Sequence, residues 1–143
     1  MIHVTAPGRG GIIGNPSDIY GGTVVSCTIT ERAEALVSHS PVLTFDVYGH
    51  FQVLGQEADL EYLPDLHYLD VAKAVWRYLR KSELAEQGRI DPAATFHVRA
   101  GSNIPLQAGC AGSTAILMAI LAGVLAHFGV EMSRHALAEL ARG

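Results

Sequence analysis

Lysine is nearly missing from this chain: among its 143 residues only Lys73 and Lys81 carry an ammonium side chain, and acidic residues outnumber lysine plus arginine by 14 to 10. No basic stripe is present, which argues against a nucleic-acid partner. Cysteine is as sparse, and Cys27 with Cys110 sets no disulfide framework. Long apolar runs are missing too. The longest, Ala115 to Ala126, has 12 residues, whereas crossing a bilayer takes about 20, so no membrane partner is expected. The N-terminus lacks a basic segment followed by an apolar one. Together these absences read as a cytoplasmic protein.

What the chain does have is apolar mass, with 49% hydrophobic and 17% charged residues. That composition is folded rather than disordered, and the length suits one domain with a substantial core. The thin surface charge points to a face that meets a partner or a second domain.

Patterning predicts the elements. Ile2 to Ala6 fits a strand, after which Pro7-Gly8 is expected to turn the chain. Gly22 to Thr30 is rich in β-branched residues and reads as a strand; Glu31 to Val37 either continues the sheet or opens a short helix. Val42 to Val47 and His50 to Leu54 flank Tyr48-Gly49, the pattern of a hairpin. His67 to Lys81 is amphipathic, with Leu69, Ala72, Val75, Trp76 and Leu79 on a core stripe. Asp70, Lys73, Arg77 and Arg80 fall on the opposite stripe, and Gly88 is a stop signal. Thr95 to Arg99 alternates as a strand. Gly101 to Gly112 reads as a loop, Ser113 to His127 as a helix ended by Gly129, and Ser133 as the N-cap of a last helix to about Ala141. This order predicts an α+β fold, a mostly antiparallel sheet with helices packed on one face.

Two patches carry chemistry. The first is Asn103-Ile-Pro-Leu-Gln-Ala-Gly-Cys-Ala-Gly-Ser-Thr-Ala115, in which Gly109 and Gly112 allow close backbone approach. The first turn of the following helix leaves N–H groups free for phosphate oxygens, and Ser113 and Thr114 add hydroxyls able to reach phosphate or Mg²⁺. No lysine stands in the loop, so it is not a Walker A sequence. Read on local physics alone, the run is either a phosphate cradle or a plain cap on a core helix. The second patch runs from Ala6 to Gly22. Arg9 offers a fork of donors for an anion, and Asp18, near Asn15 and Ser17, can accept from sugar or alcohol hydroxyls. The alternative is an Asx-type turn in which Asp18 serves its own backbone.

As an ordered pair these patches resemble motifs one and two of the GHMP kinases, the superfamily of galactokinase, homoserine kinase, mevalonate kinase and phosphomevalonate kinase. APGRGGIIGNPSDIYGG is similar to the galactokinase-type APGRVNLIGEHTDYNGG, and IPLQAGCAGSTA to the phosphate loop P-x-x-x-G-L-G-S-S-A, about 90 residues downstream. The resemblance covers essentially the whole chain and implies the N-terminal, ATP-binding domain of such a kinase over residues 1–143, with a fold like domain 2 of ribosomal protein S5. It implies ATP and Mg²⁺ as cofactors and a small hydroxylated substrate. Arg9 then matches the basic residue near the transferred phosphate or the substrate. Asp18, with Asn15 and Ser17, falls among the substrate contacts. Pro105, Gly109, Cys110, Ala111, Gly112, Ser113 and Thr114 fall on the nucleotide loop, Ser113 matching the serine that helps hold Mg²⁺.

The departures narrow these expectations. Cys110 stands for the usual leucine, Ala111 for a glycine and Gly112 for a serine. Gly112-Ser113-Thr114, together with GNPSD in place of GEHTD, leans toward the glucuronokinase-like members and a sugar or sugar-acid substrate. No aspartate follows Asp91, so no catalytic base is identified, and the third motif and the C-terminal domain are not found. The expectation is therefore a shortened kinase domain of low or no activity by itself. The alternative is a noncatalytic interaction domain that keeps the fold and forms a homodimer through the surface the second domain would cover. The seven histidines are scattered and match no zinc pattern, and Trp76 is assigned to the core.

Overall fold

The computed structural model describes residues 1–13, 25–54, 69–104, 112–134, 136, 137 and 140. Its strands are β1 (Ile2–Ile13), β2 (Val25–His39), β3 (Thr44–Val47), β4 (His50–Val53) and β5 (Phe96–Ser102). The helices are α1 (Asp70–Arg80), the four-residue α2 (Glu83–Glu86) and α3 (Gly112–His127). The strands form one sheet in the order β1-β2-β5-β3-β4. Every pairing is antiparallel except that of β3 with β5, so the expected α+β class with a mostly antiparallel sheet is the fold observed.

The chain does not turn at Pro7-Gly8. β1 runs through both residues, with Pro7 opposite Arg32 of β2. The reason is position: β1 is an edge strand, where a residue without an N–H costs the ladder little. The pairing is irregular instead, with register shifts between Pro7 and Arg9 and between Gly11 and Ile13. Glu31 to Val37 continues the sheet within β2. The hairpin lies where expected: Val47 faces His50, and the two residues between them have positive φ, 54° at Tyr48 and 81° at Gly49. A two-residue turn with both φ angles positive matches the strand twist. Glycine bears that angle freely and Tyr48 bears it at some cost. β5 extends beyond the expected strand through Gly101 and Ser102.

One face of the sheet is covered by helices. Ala33, Ala35 and Val37 of β2 and Phe96, Val98 and Ala100 of β5 are buried, alternating with exposed or half-buried neighbours as a half-covered sheet requires. α3 lies on them, apolar on all sides as its sequence predicts. The small β2 residues allow a close approach: a Cβ at Gly123 would stand 3.0 Å from Val37 Cγ2. α1 packs beside α3 through Ala72, Val75, Trp76 and Leu79, all buried. Trp76 meets Phe96 edge-on at 4.8 Å and stacks on Phe128 at 5.9 Å, which fixes it in the core.

Two details differ from the periodicity. Lys73 is fully buried and not on a solvent stripe: the covered arc of α1 is wider than its apolar stripe, and Lys73 sits on the rim of that arc. α2 also intervenes before Gly88, whose φ of 75° ends α2 rather than α1. Ser133 does cap, its Oγ accepting from the Ala136 N–H at 3.0 Å, the N3 position of the turn it opens. No described helix is long and apolar enough to cross a membrane.

Candidate active site

The direction of α3 decides where its N-terminus lies. Near its C-terminus, the His127 ring stands 6.1 Å from His39 and 5.7 Å from Phe96, and those two residues pair at one end of the β2–β5 ladder. Gly123 approaches Ala35 and Val37, further along β2. The helix has 16 residues, about 24 Å at ~1.5 Å per residue. The seven residues of β5 span a similar ~20–24 Å. Gly112 therefore begins at the other end of the ladder, where Ser102 faces Ala33.

That end is tied down by side chains from three strands. Asn103, just past β5, accepts at Oδ1 from the Arg32 N–H at 2.8 Å, and its own N–H donates to the Arg32 carbonyl at 3.3 Å. Arg32 Nε donates to Thr5 Oγ1 at 2.9 Å. β1 and β2 continue beyond this point and carry Arg9, exposed, opposite Thr28. The fold thus brings Arg9 of the first motif and the opening of α3 to the same end of the sheet, though 103 residues separate Arg9 from Gly112 in sequence.

The first turn of α3 holds no acidic residue. Four N–H groups of such a turn lack helical partners and carry the positive end of the helix dipole, so no carboxylate within the turn itself opposes an anion. Thr114 is exposed in that turn. Gly112 and Ser113 are the first two residues of the helix; the Ser113 side chain lies outside the described residues. So do Pro105, Gly109, Cys110 and Ala111 of the loop, and Asn15, Ser17 and Asp18 of the first motif. Among the described residues no cluster of three His, Cys, Asp or Glu side chains could hold a metal ion.

Sequence reading missed Thr5 and Arg32 and gave Asn103, at the head of the loop segment, no role; the three converge here from positions 27 and 71 residues apart. For Thr5 and Arg32 the only local signal is alternation along β1 and β2, which marks a face without marking a partner. His127 was noted only as one of the scattered histidines. Its pKa is held below 6.5 by partial burial first, then by His39 and the N-terminal ammonium.

Comparison with known proteins agrees with this fold. No curated protein matches the chain in sequence. Methanococcus jannaschii mevalonate kinase superposes on 98% of the chain with a TM-score of 0.81 at 14% identity. Streptococcus pneumoniae phosphomevalonate kinase, solved with phosphomevalonate and AMPPNP, does so over 99% with 0.78 at 16% identity. Lactococcus lactis galactokinase, solved with galactose, covers 97% with 0.76 at 18% identity. At such identities the likeness is one of fold. The chain spans less than half the length of each, 44%, 41% and 36% in turn. Sequence adds what shape alone does not: the family described as GHMP kinases N terminal domain matches residues 70–143, just over half of the chain and including all of α3. The chain belongs to the GHMP kinase family.

Proposed function

We propose that residues 1–143 form the ATP-binding domain of a small-molecule kinase that transfers the γ-phosphoryl group to a hydroxyl of a sugar or sugar acid. The observation that carries this reading is the N-terminus of α3, an apolar helix with an acid-free first turn, opening at the sheet end that bears Arg9. Kinases of this family use ATP, and the phosphomevalonate kinase above was solved with a nucleotide analogue.

The chemistry asked of these residues is positioning and charge stabilisation. The transferring group is already reactive toward in-line attack and chiefly needs its charge held. The first-turn N–H groups of α3 would receive phosphate oxygens, with Gly109, Cys110, Ala111 and Gly112 supplying close backbone and Pro105 opening the loop. The Arg9 guanidinium would hold the transferring phosphate or the substrate. Asp18, with Asn15 and Ser17, would orient the substrate hydroxyls. Mg²⁺ takes most of its ligands from water and phosphate, so a single hydroxyl from Ser113, with Thr114 beside it, fits the acid-free turn. When bound, the ion would neutralise phosphate charge.

No base is assigned. The only carboxylates after the loop are Glu131 and Glu139, and Glu131 follows the C-terminus of α3, the opposite end from the phosphate site. By themselves these 143 residues are therefore expected to bind nucleotide and to transfer phosphate slowly or not at all. Calorimetry of the chain with MgATP and MgADP tests the reading. Binding should depend on magnesium and weaken at least tenfold in Ser113→Leu with the circular dichroism unchanged; equal affinity in that variant would overturn the assigned site.

A second reading, a noncatalytic self-associating domain that keeps the fold, draws on Val42, Phe51 and Val53, which lie 39%, 56% and 47% exposed beside or within the edge strand β4. A stable dimer that binds no nucleotide would favour it.

A further inference from the structure

The face of the sheet turned away from the helices holds a cavity of about 520 Å³ lined by Thr5, Thr30, Arg32, Glu34 and Asn103, with Gly101 in its floor. That volume suits a small organic molecule. We propose that it binds a small polyhydroxylated carboxylate, a sugar acid, on the face of the sheet opposite the one that carries α3.

The lining is built before any ligand arrives. The Arg32 guanidinium is pinned by two bonds to Thr5, from Nε to Oγ1 at 2.9 Å and from Nη2 to the carbonyl at 3.4 Å. Among the described residues, three of its five N–H donors stay uncommitted. Asn103 has its Oδ1 taken by the Arg32 backbone, which fixes the amide so that its two N–H donors are the free side. Glu34 turns to His3, at 3.1 Å, and not to Arg32. Among the described residues the guanidinium thus has no carboxylate partner, and one Glu34 oxygen is left as an acceptor. A fixed guanidinium matches a carboxylate, and the Asn103 amide lines the same cavity as a further donor. The spare Glu34 oxygen and the Thr5 hydroxyl beside them match vicinal hydroxyls.

Gly101 supplies an independent argument. A Cβ there would meet no atom within 4 Å, and its φ is not positive, so neither packing nor backbone geometry demands glycine. A side chain would instead fill the floor of the cavity. It would also divide it from the adjoining 420 Å³ hollow beside Tyr48 and Arg99, which shares Glu34 and Gly101.

The test is an amide-resolved NMR titration of the 143-residue chain with D-glucuronate, with D-glucose and inorganic phosphate as comparators. Glucuronate should saturably shift the amides of Arg32, Gly101 and Asn103, at least tenfold more tightly than either comparator. Gly101→Leu and Arg32→Gln should each weaken that binding at least tenfold, with Arg32→Gln deciding if Gly101→Leu does not fold. Ser113→Leu should leave it unchanged, which separates this site from the nucleotide site. Shifts confined to the first turn of α3, no saturable shift, phosphate binding as tight as glucuronate, or full affinity in a folded Gly101→Leu would each overturn the proposal.

Discussion

On one face of the sheet, Ala33, Ala35, Val37, Val98 and Ala100 lie dry beneath α3 and its neighbours. On the other, Thr5, Arg32, Glu34, Arg99 and Asn103 stand in the open. The same strands supply both sets, one residue out of phase. The covered face uses small side chains so that a helix can come within contact of the backbone. The open face uses polar side chains that bond to one another across strands and keep a hollow between them. Stability should therefore reside on the covered face and recognition on the open face and at the sheet end where α3 begins.

The strongest way to break this contrast is to truncate one large side chain on each side of it. Trp76 is 2% exposed and held between Phe96 and Phe128, so Trp76→Ala should cost about 3–5 kcal/mol. Phe51, 56% exposed on β4, should lose no more than about 0.5 kcal/mol on the same change. Urea unfolding measures both. Comparable losses would mean that the open face is a packed surface and that the division drawn above is wrong.

A subtler version adds atoms. At Gly123 even a Cβ comes to 3.0 Å from Val37 Cγ2, so Gly123→Val forces α3 off β2. It should cost about 1–3 kcal/mol by overpacking, read as a lowered melting temperature. Gly101→Leu on the open face should leave the melting temperature nearly unchanged. A Gly123→Val protein as stable as its parent would show that the helix sits less closely than described.

How far sequence alone reached follows the same division. The apolar run that became α3 was legible to within a residue, because a helix without a polar side can only be buried. Tyr48-Gly49 was legible because few sequences close a two-residue hairpin. The motif pair was legible as a resemblance, and the fold brings Arg9 and Gly112 to one end of the sheet. What escaped depends on neighbours that sequence does not name. Pro7 looked like a turn because its place on an edge strand was invisible. Lys73 looked solvated because helical periodicity cannot tell how wide the covered arc will be. The open-face hollow joins β1, β2 and β5, and no window along the chain contains all three.

The smallest effect expected is on pH. His127 closes α3, where the helix dipole alone would favour its protonated form. Burial opposes that charge, and so do His39 and the N-terminal ammonium, so its pKa lies below 6.5 in the fold. The unfolded chain then binds the proton more readily, and stability rises with pH in this window. The contribution is fully present above about 6.5 and is lost as the pH falls from there toward the lowered folded value. Urea midpoints measured at pH 7.5 and 5.5 should therefore fall in acid, and fall less in His127→Gln. The ring meets Phe96 and Phe128 as well as His39, so glutamine also removes some packing and lowers both midpoints; the quantity that matters is their difference. An unchanged difference would place the acid sensitivity on other groups and leave the covered face, at this corner, indifferent to charge.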